Sequence, residues 1–198
     1  MRRAAVAALL GGMLAAAGLA PGPAGSAPAP RCLGKVATIV KGGGSQTIKG
    51  TAGNDVIIAG GGRDLVYGRG GNDRICGGAG SDYIEGGPGN DRIDAGGGGD
   101  TALGNKGDDR IDGGKGVDFV YGDEFADAPG GGDDVVRGGP GDDVNIEGGT
   151  GADKLFGDAG EDDLDGLDGA AGDALDGGAD TDECSYDLGD TALSCEIA

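Results

Sequence analysis

The amino-acid sequence predicts an all-β fold, a parallel β-solenoid in which short strands alternate with glycine-rich turns. Three observations predict it. Glycine supplies 50 of the 198 residues, a nine-residue pattern recurs without interruption over residues 50–121, and each period carries one apolar residue at its eighth position. Glycine this abundant without a Gly-X-Y triplet excludes collagen and leaves either disorder or a repeat that needs glycine at fixed positions.

Composition and charge exclude several classes of function. The chain contains no histidine, so it has no Ser-His-Asp or Cys-His nucleophile and no zinc site that uses histidine. Its formal net charge is −20, from 35 acidic and 15 basic side chains. A charge of this sign repels nucleic-acid phosphates and anionic lipid surfaces, so we expect neither as a partner.

Residues 1–29 have the layout of a secretory signal peptide and its cleavage region. Arg2 and Arg3 precede an uncharged run over residues 4–20, and a stretch of Pro, Ala, Gly and Ser follows. The alternative is a membrane-anchoring helix, although the run is weakly apolar and short for a span. The sequence therefore predicts a secreted, extracellular protein that has no membrane span once the signal is removed.

Residues 30–49 are predicted to form N-terminal capping coils. The nine-residue register runs backward through them, but Gln46 stands where the repeat places an aspartate, and the preceding period retains only Ile39. We expect these coils to continue the strands without binding an ion.

Four cysteines follow the predicted signal: Cys32, Cys76, Cys184 and Cys195. In an exported chain an even number of cysteines indicates two disulfides, for which three connectivities are possible. We favour Cys32–Cys76 and Cys184–Cys195, because each pair would fasten one end of the repeat array. A four-cysteine zinc site is disfavoured because no two cysteines have the C-x-x-C spacing.

Residues 50–121 are eight nine-residue blocks that follow the rule G-G-x-G-x-D-x-U-x, where U is apolar and the glycine at position four is present in every block. Glycine at these positions suits a turn with positive φ or a close approach of the backbone to an ion. The x-U-x segment is a short strand that directs U inward. Two blocks close one coil, and stacked coils pair their strands in parallel. Position six is aspartate in every block: Asp55, Asp64, Asp73, Asp82, Asp91, Asp100, Asp109 and Asp118.

Beyond residue 121 the period is less regular. Residues 122–128 are a seven-residue insertion, which we interpret as a surface loop, with a hinge between two rolls as the alternative. Residues 129–185 resume the repeat, and residues 186–198 are predicted to form a C-terminal cap. The position-six aspartates of the irregular part are Asp134, Asp143, Asp153 and Asp162, with looser matches at Asp173 and Asp182.

The aspartates of the repeat predict a fold that depends on calcium. Stacking sets successive carboxylates about 4.8 Å apart along each edge, where they repel one another. One coil buries only two U side chains, which stabilises it by less than the ordering of its residues costs. A cation between coils reverses this balance, and turns that offer only carboxylate and carbonyl oxygens suit calcium better than magnesium. We therefore expect several bound Ca²⁺ ions, and a disordered chain without them.

The repeat pattern, written out by residues 77–85 and 86–94, resembles the RTX or haemolysin-type calcium-binding nonapeptide repeat. The resemblance covers residues 50–121 closely and residues 129–165 loosely. It implies a right-handed parallel β-roll in which position-six aspartates of repeats two apart share each calcium ion with turn carbonyls. The implied pairs are Asp55/Asp73, Asp64/Asp82, Asp73/Asp91, Asp82/Asp100, Asp91/Asp109 and Asp100/Asp118.

The resemblance implies calcium binding rather than toxin or hydrolase activity. Many family members carry a catalytic domain before the repeats and a C-terminal export signal. This chain instead has a predicted N-terminal signal peptide and no room for such a domain, and it is more similar to stand-alone secreted calcium-binding proteins of actinobacterial type.

Alternate repeats fall on opposite sheets, so the two outer faces differ. One face is expected to carry Arg74, Arg92 and Arg110 beside Asp94 and Asp112 as a ladder of ion pairs. The other face carries a strip of apolar and aromatic side chains, which we interpret as a contact for a cell-surface or glycan partner. The alternative explanation is the strand propensity of Tyr and Phe. The aromatic residues of the strip are Tyr67, Tyr83, Phe119 and Tyr121.

Together these features predict a non-enzymatic, secreted calcium-binding protein with a structural or adhesive role. The alternative is a carboxylate-based glycan-active enzyme or a glycan-binding module that uses the Tyr/Phe face. An ice-binding roll would need a ladder of outward threonines, of which the regular array has only Thr101. No EF-hand loop pattern is present. The candidate acids of an enzyme lie on edges and loops with no cleft implied: Glu85, Glu124, Glu147 and Glu161.

Overall fold

The computed structural model describes residues 28–123 and 131–197, and every regular element in these ranges is a β-strand. No helix within them is long and apolar enough to cross a membrane. Most of the predicted signal region (1–27) and residues 124–128 of the predicted insertion, including Glu124, lie outside the described residues. The strands are β1 (Arg31–Cys32), β2 (Lys35–Val36), β3 (Ile39–Val40), β4 (Thr47–Lys49), β5 (Val56–Gly61), β6 (Leu65–Tyr67), β7 (Arg74–Ala79), β8 (Tyr83–Glu85), β9 (Arg92–Gly97), β10 (Thr101–Leu103), β11 (Arg110–Lys115), β12 (Phe119–Tyr121), β13 (Val135–Pro140), β14 (Ile146–Glu147), β15 (Lys154–Ala159), β16 (Asp163–Gly166), β17 (Ala174–Ala179), β18 (Glu183–Tyr186), β19 (Thr191–Leu193) and β20 (Glu196–Ile197).

Two nine-stranded parallel sheets build the solenoid. The odd sheet contains the odd-numbered strands from β3 to β19, and the even sheet contains the even-numbered strands from β4 to β20, each in chain order. Each strand therefore pairs with the strand two places away, and two successive strands complete one coil. The predicted all-β parallel solenoid is confirmed.

The pairing register follows the nine-residue period of the sequence. In the odd sheet Ile57 pairs with Ile75, and Ile75 with Ile93. In the even sheet Val66 pairs with Ile84 in the same way. Equivalent positions of alternate repeats thus lie directly side by side.

Both sheets continue across the insertion. Ile111 of β11 pairs with Val136 of β13, and Val120 of β12 pairs with Ile146 of β14. The hydrogen bond from Asp109 to Asp134 spans 25 residues, whereas its equivalents in the regular array span 18. The seven additional residues therefore enter between β12 and β13 without interrupting the stack.

The core is a column of the apolar residues at position eight, enclosed between the two sheets. Their side chains are at most 2% exposed, because each U residue points inward from a strand whose neighbours point outward. The column consists of Ile48, Ile57, Val66, Ile75, Ile84, Ile93, Ala102, Ile111, Val120, Val136, Ile146, Leu155, Leu164, Leu175 and Cys184.

The glycines at positions two and four are required by the close stacking of the coils. Gly78 has a φ of +110° and Gly80 has a φ of +121°, which L-residues with a Cβ rarely adopt. A Cβ at Gly78 would also clash with the carbonyl oxygen of Gly60, and one at Gly80 with that of Gly62. The strict glycine at position four therefore has both a conformational and a steric cause, whereas at position two Arg69 and Asn105 adopt a positive φ in place of glycine.

Each end of the array carries one disulfide, with the favoured connectivity confirmed. Cys32 lies in the antiparallel hairpin β1–β2, and its bond to Cys76 holds that hairpin against the outer surface of β5 and β7. Cys184 in β18 is bonded to Cys195, which lies between β19 and β20. The stacked coils themselves begin with β3 and β4.

Candidate metal centre

The position-six aspartates form two ladders, one along each edge of the solenoid. The main-chain N–H of Asp73 donates to Oδ1 of Asp91 at 2.7 Å, and that of Asp91 donates to Oδ1 of Asp109 at 2.6 Å. The same bond links one coil to the next throughout both ladders. The first ladder contains Asp55, Asp73, Asp91, Asp109, Asp134, Asp153 and Asp173, and the second contains Asp64, Asp82, Asp100, Asp118, Asp143, Asp162 and Asp182.

The second carboxylate oxygen distinguishes these aspartates from ordinary turn formers. The ladder side chains are between 0% and 7% exposed. A buried polar atom without a partner costs about 1–3 kcal/mol, and more when it is charged. A regular series of such oxygens is therefore favoured only where each carboxyl group is protonated or is partnered by a cation. Oδ2 is buried without a hydrogen-bond partner in Asp64, Asp73, Asp82, Asp91, Asp100, Asp109, Asp118, Asp134, Asp143, Asp153, Asp162 and Asp182.

Burial also shifts the protonation of the ladders. Desolvation raises the pKa of Asp91 to about 7, that of Asp109 to about 8 and that of Asp134 to about 9. The hydrogen bond from the preceding aspartate lowers each pKa, and the charge of that neighbour raises it again. The ladders therefore favour either protonated carboxyl groups or carboxylates that are neutralised by a cation.

The turn of Gln46 shows where the main-chain oxygens lie. Gln46 occupies position six, and its Nε2 donates to the carbonyl oxygens of Gly42 at 2.9 Å and Gly44 at 3.1 Å. Carbonyls at positions two and four are thus within reach of the position-six side chain. A carboxylate and a carbonyl are both acceptors, so an aspartate at this position would need a cation or a proton between its oxygen and these carbonyls in order to interact with them. The main-chain N–H of Gln46 donates to Asp64 Oδ1 at 2.8 Å, so this coil still starts a ladder.

The donor set fits a hard cation held largely by the main chain. Within residues 28–123 and 131–197, no three Asp, Glu or Cys side chains converge to form a metal-binding group. An ion in these turns would therefore take at most two carboxylates, from successive coils, and complete its shell with carbonyl oxygens. Calcium accepts six to eight oxygens in flexible geometry, and the residues fit it on this ground.

Three buried aspartates were missed or only loosely matched by the sequence pattern. Asp173 and Asp182 belong to the ladders, although the block of Asp173 is two residues longer than the repeat and the block of Asp182 lacks the glycine at position four. Asp123 lies at the start of the insertion and is 3% exposed. Its Oδ2 accepts hydrogen bonds from the N–H and Oγ1 of Thr150 at 3.0 and 3.1 Å, and its Oδ1 is buried without a partner. No periodic signal identifies it.

The predicted ladder of ion pairs on the odd sheet is wrong. Arg74, Arg92 and Arg110 lie side by side on paired strands. Among the described residues the one ion pair within 4.0 Å joins Arg137 to Asp158, at 2.9 Å. Parallel stacking in register places equivalent positions next to each other, so arginine faces arginine across the sheet.

The aromatic strip does assemble on the even sheet. The ring centroids of Tyr67 and Tyr83 are 6.2 Å apart, and Lys49 Nζ lies 5.7 Å from the centroid of the Tyr67 ring. Phe119 is 39% exposed on the same face, and Tyr121 follows two residues later in β12.

Of the candidate acids of an enzyme that the structure describes, Glu85 and Glu147 do not come together. Glu85 ends β8 and Glu147 ends β14. Strands β10 and β12 lie between them, which puts the two backbones about 14 Å apart at the usual strand spacing. Glu161 is exposed in a turn.

Comparison with known proteins identifies the repeat. The family model of the RTX calcium-binding nonapeptide repeat (4 copies) matches residues 42–75, 69–102, 94–128, 130–144 and 145–172. These segments contain the position-six aspartates from Asp55 to Asp162. No curated protein matches the chain.

Proposed function

Because the chain belongs to the RTX calcium-binding nonapeptide repeat family, we propose that it is a secreted, non-enzymatic protein that folds on calcium and serves a structural or adhesive role outside the cell. The observation that carries the proposal is the series of buried, unpartnered Oδ2 atoms along both ladders. On this proposal the calcium ligands are Asp55, Asp64, Asp73, Asp82, Asp91, Asp100, Asp109, Asp118, Asp134, Asp143, Asp153 and Asp162.

Calcium would act as the bond between coils. Each coil adds two apolar side chains to the core and one carboxylate to each ladder, so the gain from burial is small and the repulsion repeats at every step. An ion between successive aspartates neutralises them and partners their free oxygens. The affinity expected of such a module is that of extracellular sites, with Kd of about 10⁻⁴–10⁻³ M.

The disulfides support an extracellular setting. All four cysteines are oxidised in the structure, and disulfides persist mainly in oxidising compartments. The predicted signal peptide points the same way. The backbones of Glu85 and Glu147 are about 14 Å apart, whereas paired-carboxylate chemistry on glycans needs about 5–9.5 Å between the two carboxyl groups, so this spacing disfavours that pair as a glycosidase site.

The proposal is tested by titrating calcium into the oxidised mature chain, starting from chelator, while far-ultraviolet circular dichroism is recorded. We expect a cooperative transition from a disordered to a strand spectrum, with no equivalent transition on addition of magnesium. A chain that is fully folded in chelator, and whose stability does not respond to calcium, would show that the disulfides and core suffice and would overturn the proposal.

A second function, binding of a glycan or cell-surface partner, is favoured by the contact between Tyr67 and Tyr83 and the exposure of Phe119. Aromatic side chains that share an exposed face are suited to such partners. The combined replacement of Tyr67, Tyr83 and Tyr121 by Ser should abolish binding to cell-wall or glycan preparations. Unchanged binding by a variant that retains the calcium-induced spectrum would reject this function.

A further inference from the structure

Charge is distributed unequally along the solenoid. Residues 28–123 contain 11 Lys or Arg and 13 Asp or Glu, whereas residues 131–197 contain 2 and 20. Eight of the acidic residues in the first range and six in the second belong to the ladders. Without them, 11 basic residues oppose 5 acidic ones in the first range, and 2 oppose 14 in the second. The calcium-loaded molecule would therefore have a basic half and a strongly acidic half.

Three of these basic residues form a row along one edge of the odd sheet, which we call the Arg edge. Arg74, Arg92 and Arg110 occupy position seven of three successive coils and lie directly side by side. Like charges directly opposed on neighbouring strands destabilise a sheet. No described carboxylate lies within 4.0 Å of these guanidinium groups. The three arginines line a groove of about 430 Å³ together with the position-five residues Asn54, Asn72, Asn90 and Asp108.

The equivalent edge of the even sheet, in the other half of the molecule, is acidic. Asp163, Glu183 and Glu196 occupy position seven of three successive coils and also lie side by side. This acid edge lines a groove of about 490 Å³, and Asp142, Glu161 and Thr181 supply its position-five residues. No lysine or arginine lines the groove. Position seven thus carries Arg along one edge and Asp or Glu along the other, while position five is mostly Asn along the first edge and is Asp, Glu or Thr along the second.

The two edges carry opposite charges with the same spacing. Within each row the charges are separated by the distance between paired strands, about 4.8 Å. The three positive charges of one row can therefore each face one negative charge of the other row. In the single chain, the like charges within each row repel one another. Docking would give every charge in both rows a partner of opposite sign.

From this match we propose that the Arg edge binds the acid edge of a second copy of this chain. The chain reverses direction between the sheets, so the turns that lead into the odd sheet and those that lead into the even sheet lie on opposite sides of the roll. The contact is therefore heterologous, and it leaves one free edge on each copy. Such contacts generate rings or open arrays instead of closed dimers. The inference rests on the calcium-loaded fold of the proposed function.

The test is sedimentation velocity of the oxidised mature chain in saturating calcium and about 0.15 M salt, where surface charges act over about 8 Å. We expect the average mass to rise continuously with protein concentration. One variant reverses the charge of the Arg edge (Arg92→Glu/Arg110→Glu), and the other reverses the charge of the acid edge (Glu183→Lys/Glu196→Lys). Each should associate at least about tenfold more weakly than the wild type, because like charges then face each other across the contact.

Mixing the two variants provides the decisive measurement. The reversed edge of one variant complements the reversed edge of the other, so an equimolar mixture should recover association, and so should the chain that carries all four substitutions. A wild-type chain that remains monomeric, a variant that associates like the wild type, or a mixture that remains dissociated would each overturn the inference.

Circular dichroism separates this inference from the proposed function. Variants that show the calcium-induced strand spectrum but wild-type association would refute the docking edges and leave calcium-driven folding intact. If a charge-reversed variant fails to fold, the neutral pairs Arg92→Gln/Arg110→Gln and Glu183→Gln/Glu196→Gln take its place, with the same loss of association expected.

Discussion

Replacement of Asp91 by Asn should change stability in opposite directions with and without calcium. Asp91 lies in the middle of the first ladder, is 1% exposed, and has a buried Oδ2 without a partner. An Asn Oδ1 can still accept the 2.7 Å hydrogen bond from the N–H of Asp73. The substitution therefore removes the charge and one oxygen while it preserves the link between coils.

The magnitude follows from the neighbours of Asp91 in the ladder. If it shares one ion with Asp73 and another with Asp109, Asn weakens two sites. Each lost interaction with a charged ligand is worth about 1.5–3 kcal/mol, so the free energy of unfolding in saturating calcium should fall by about 3–6 kcal/mol. In chelator, the substitution removes repulsion of up to about 3 kcal/mol with each neighbour, at a spacing of about 4.8 Å and an effective dielectric constant of about 20.

The assay is urea denaturation in saturating calcium, together with circular dichroism in chelator. The matched control is Asp94→Asn, which removes the same charge from the same repeat but lies on the outer face of β9. We expect Asp91→Asn to lose stability in calcium and to show more strand signal than the wild type in chelator, while Asp94→Asn stays within about 0.5 kcal/mol of the wild type in calcium. Equal stability of the two variants in calcium would refute the assignment of Asp91 as a ligand.

Three further predictions follow from the coils, the ladders and the disulfides. Gly78→Ala should lower the free energy of unfolding in saturating calcium by at least about 2 kcal/mol, because Gly78 has a positive φ and its Cβ would clash with Gly60. Gly97→Ala, whose Cβ would meet nothing within 4 Å, should lower it by at most about 1 kcal/mol. Similar urea midpoints for the two variants would contradict the stacking argument. In chelator, strand content should rise as the pH falls from 9 to about 4. The pKa values of Asp91, Asp109 and Asp134 in the folded chain are about 7, 8 and 9, above the value in the unfolded chain. The stabilisation of the fold that comes with protonation of these groups is therefore complete below the unfolded pKa and is lost as the pH rises through the folded pKa values. A pH-independent spectrum would contradict this prediction. The double variant Cys32→Ser/Cys76→Ser should lose about 4 kcal/mol and Cys184→Ser/Cys195→Ser about 3 kcal/mol, because the bonds close loops of 44 and 11 residues; the reverse order in thermal denaturation would contradict the loop argument.

Much of the fold could be predicted because the repeat is local and strict. The apolar residue at position eight is repeated nine residues later on the opposite sheet, so the pairing of Ile57 with Ile75 follows from the period alone. The aspartate at position six follows the same period, which is why both ladders could be predicted through the regular array. Asp173 and Asp182 were matched only loosely, because their blocks are longer or less regular than the rest.

The features that the sequence did not predict depend on contacts between coils. The period does not show that Asp123, outside the repeat, is buried against Thr150. Nor does it show that β1–β2 forms a hairpin on the outside of β5 and β7. The expected ion pairs of Arg92 with Asp94 and Asp112 do not form. The sequence pattern places these residues near one another along the strands, but the neighbours of Arg92 across the sheet are other arginines.

The nine-residue period alone predicts the coil, its inward column and the aspartate at position six of each regular block, and the disulfide pairing that the sequence favoured is the one the structure has. Which side chains meet across coils depends on the tertiary structure. Parallel pairing in register brings equivalent positions within about 4.8 Å, so like faces like along every row. This geometry leaves Oδ2 of the ladder aspartates buried without a partner, and it aligns Arg74, Arg92 and Arg110 on one edge and Asp163, Glu183 and Glu196 on the other. The first result supports the proposed calcium sites, and the second supports the proposed docking edges.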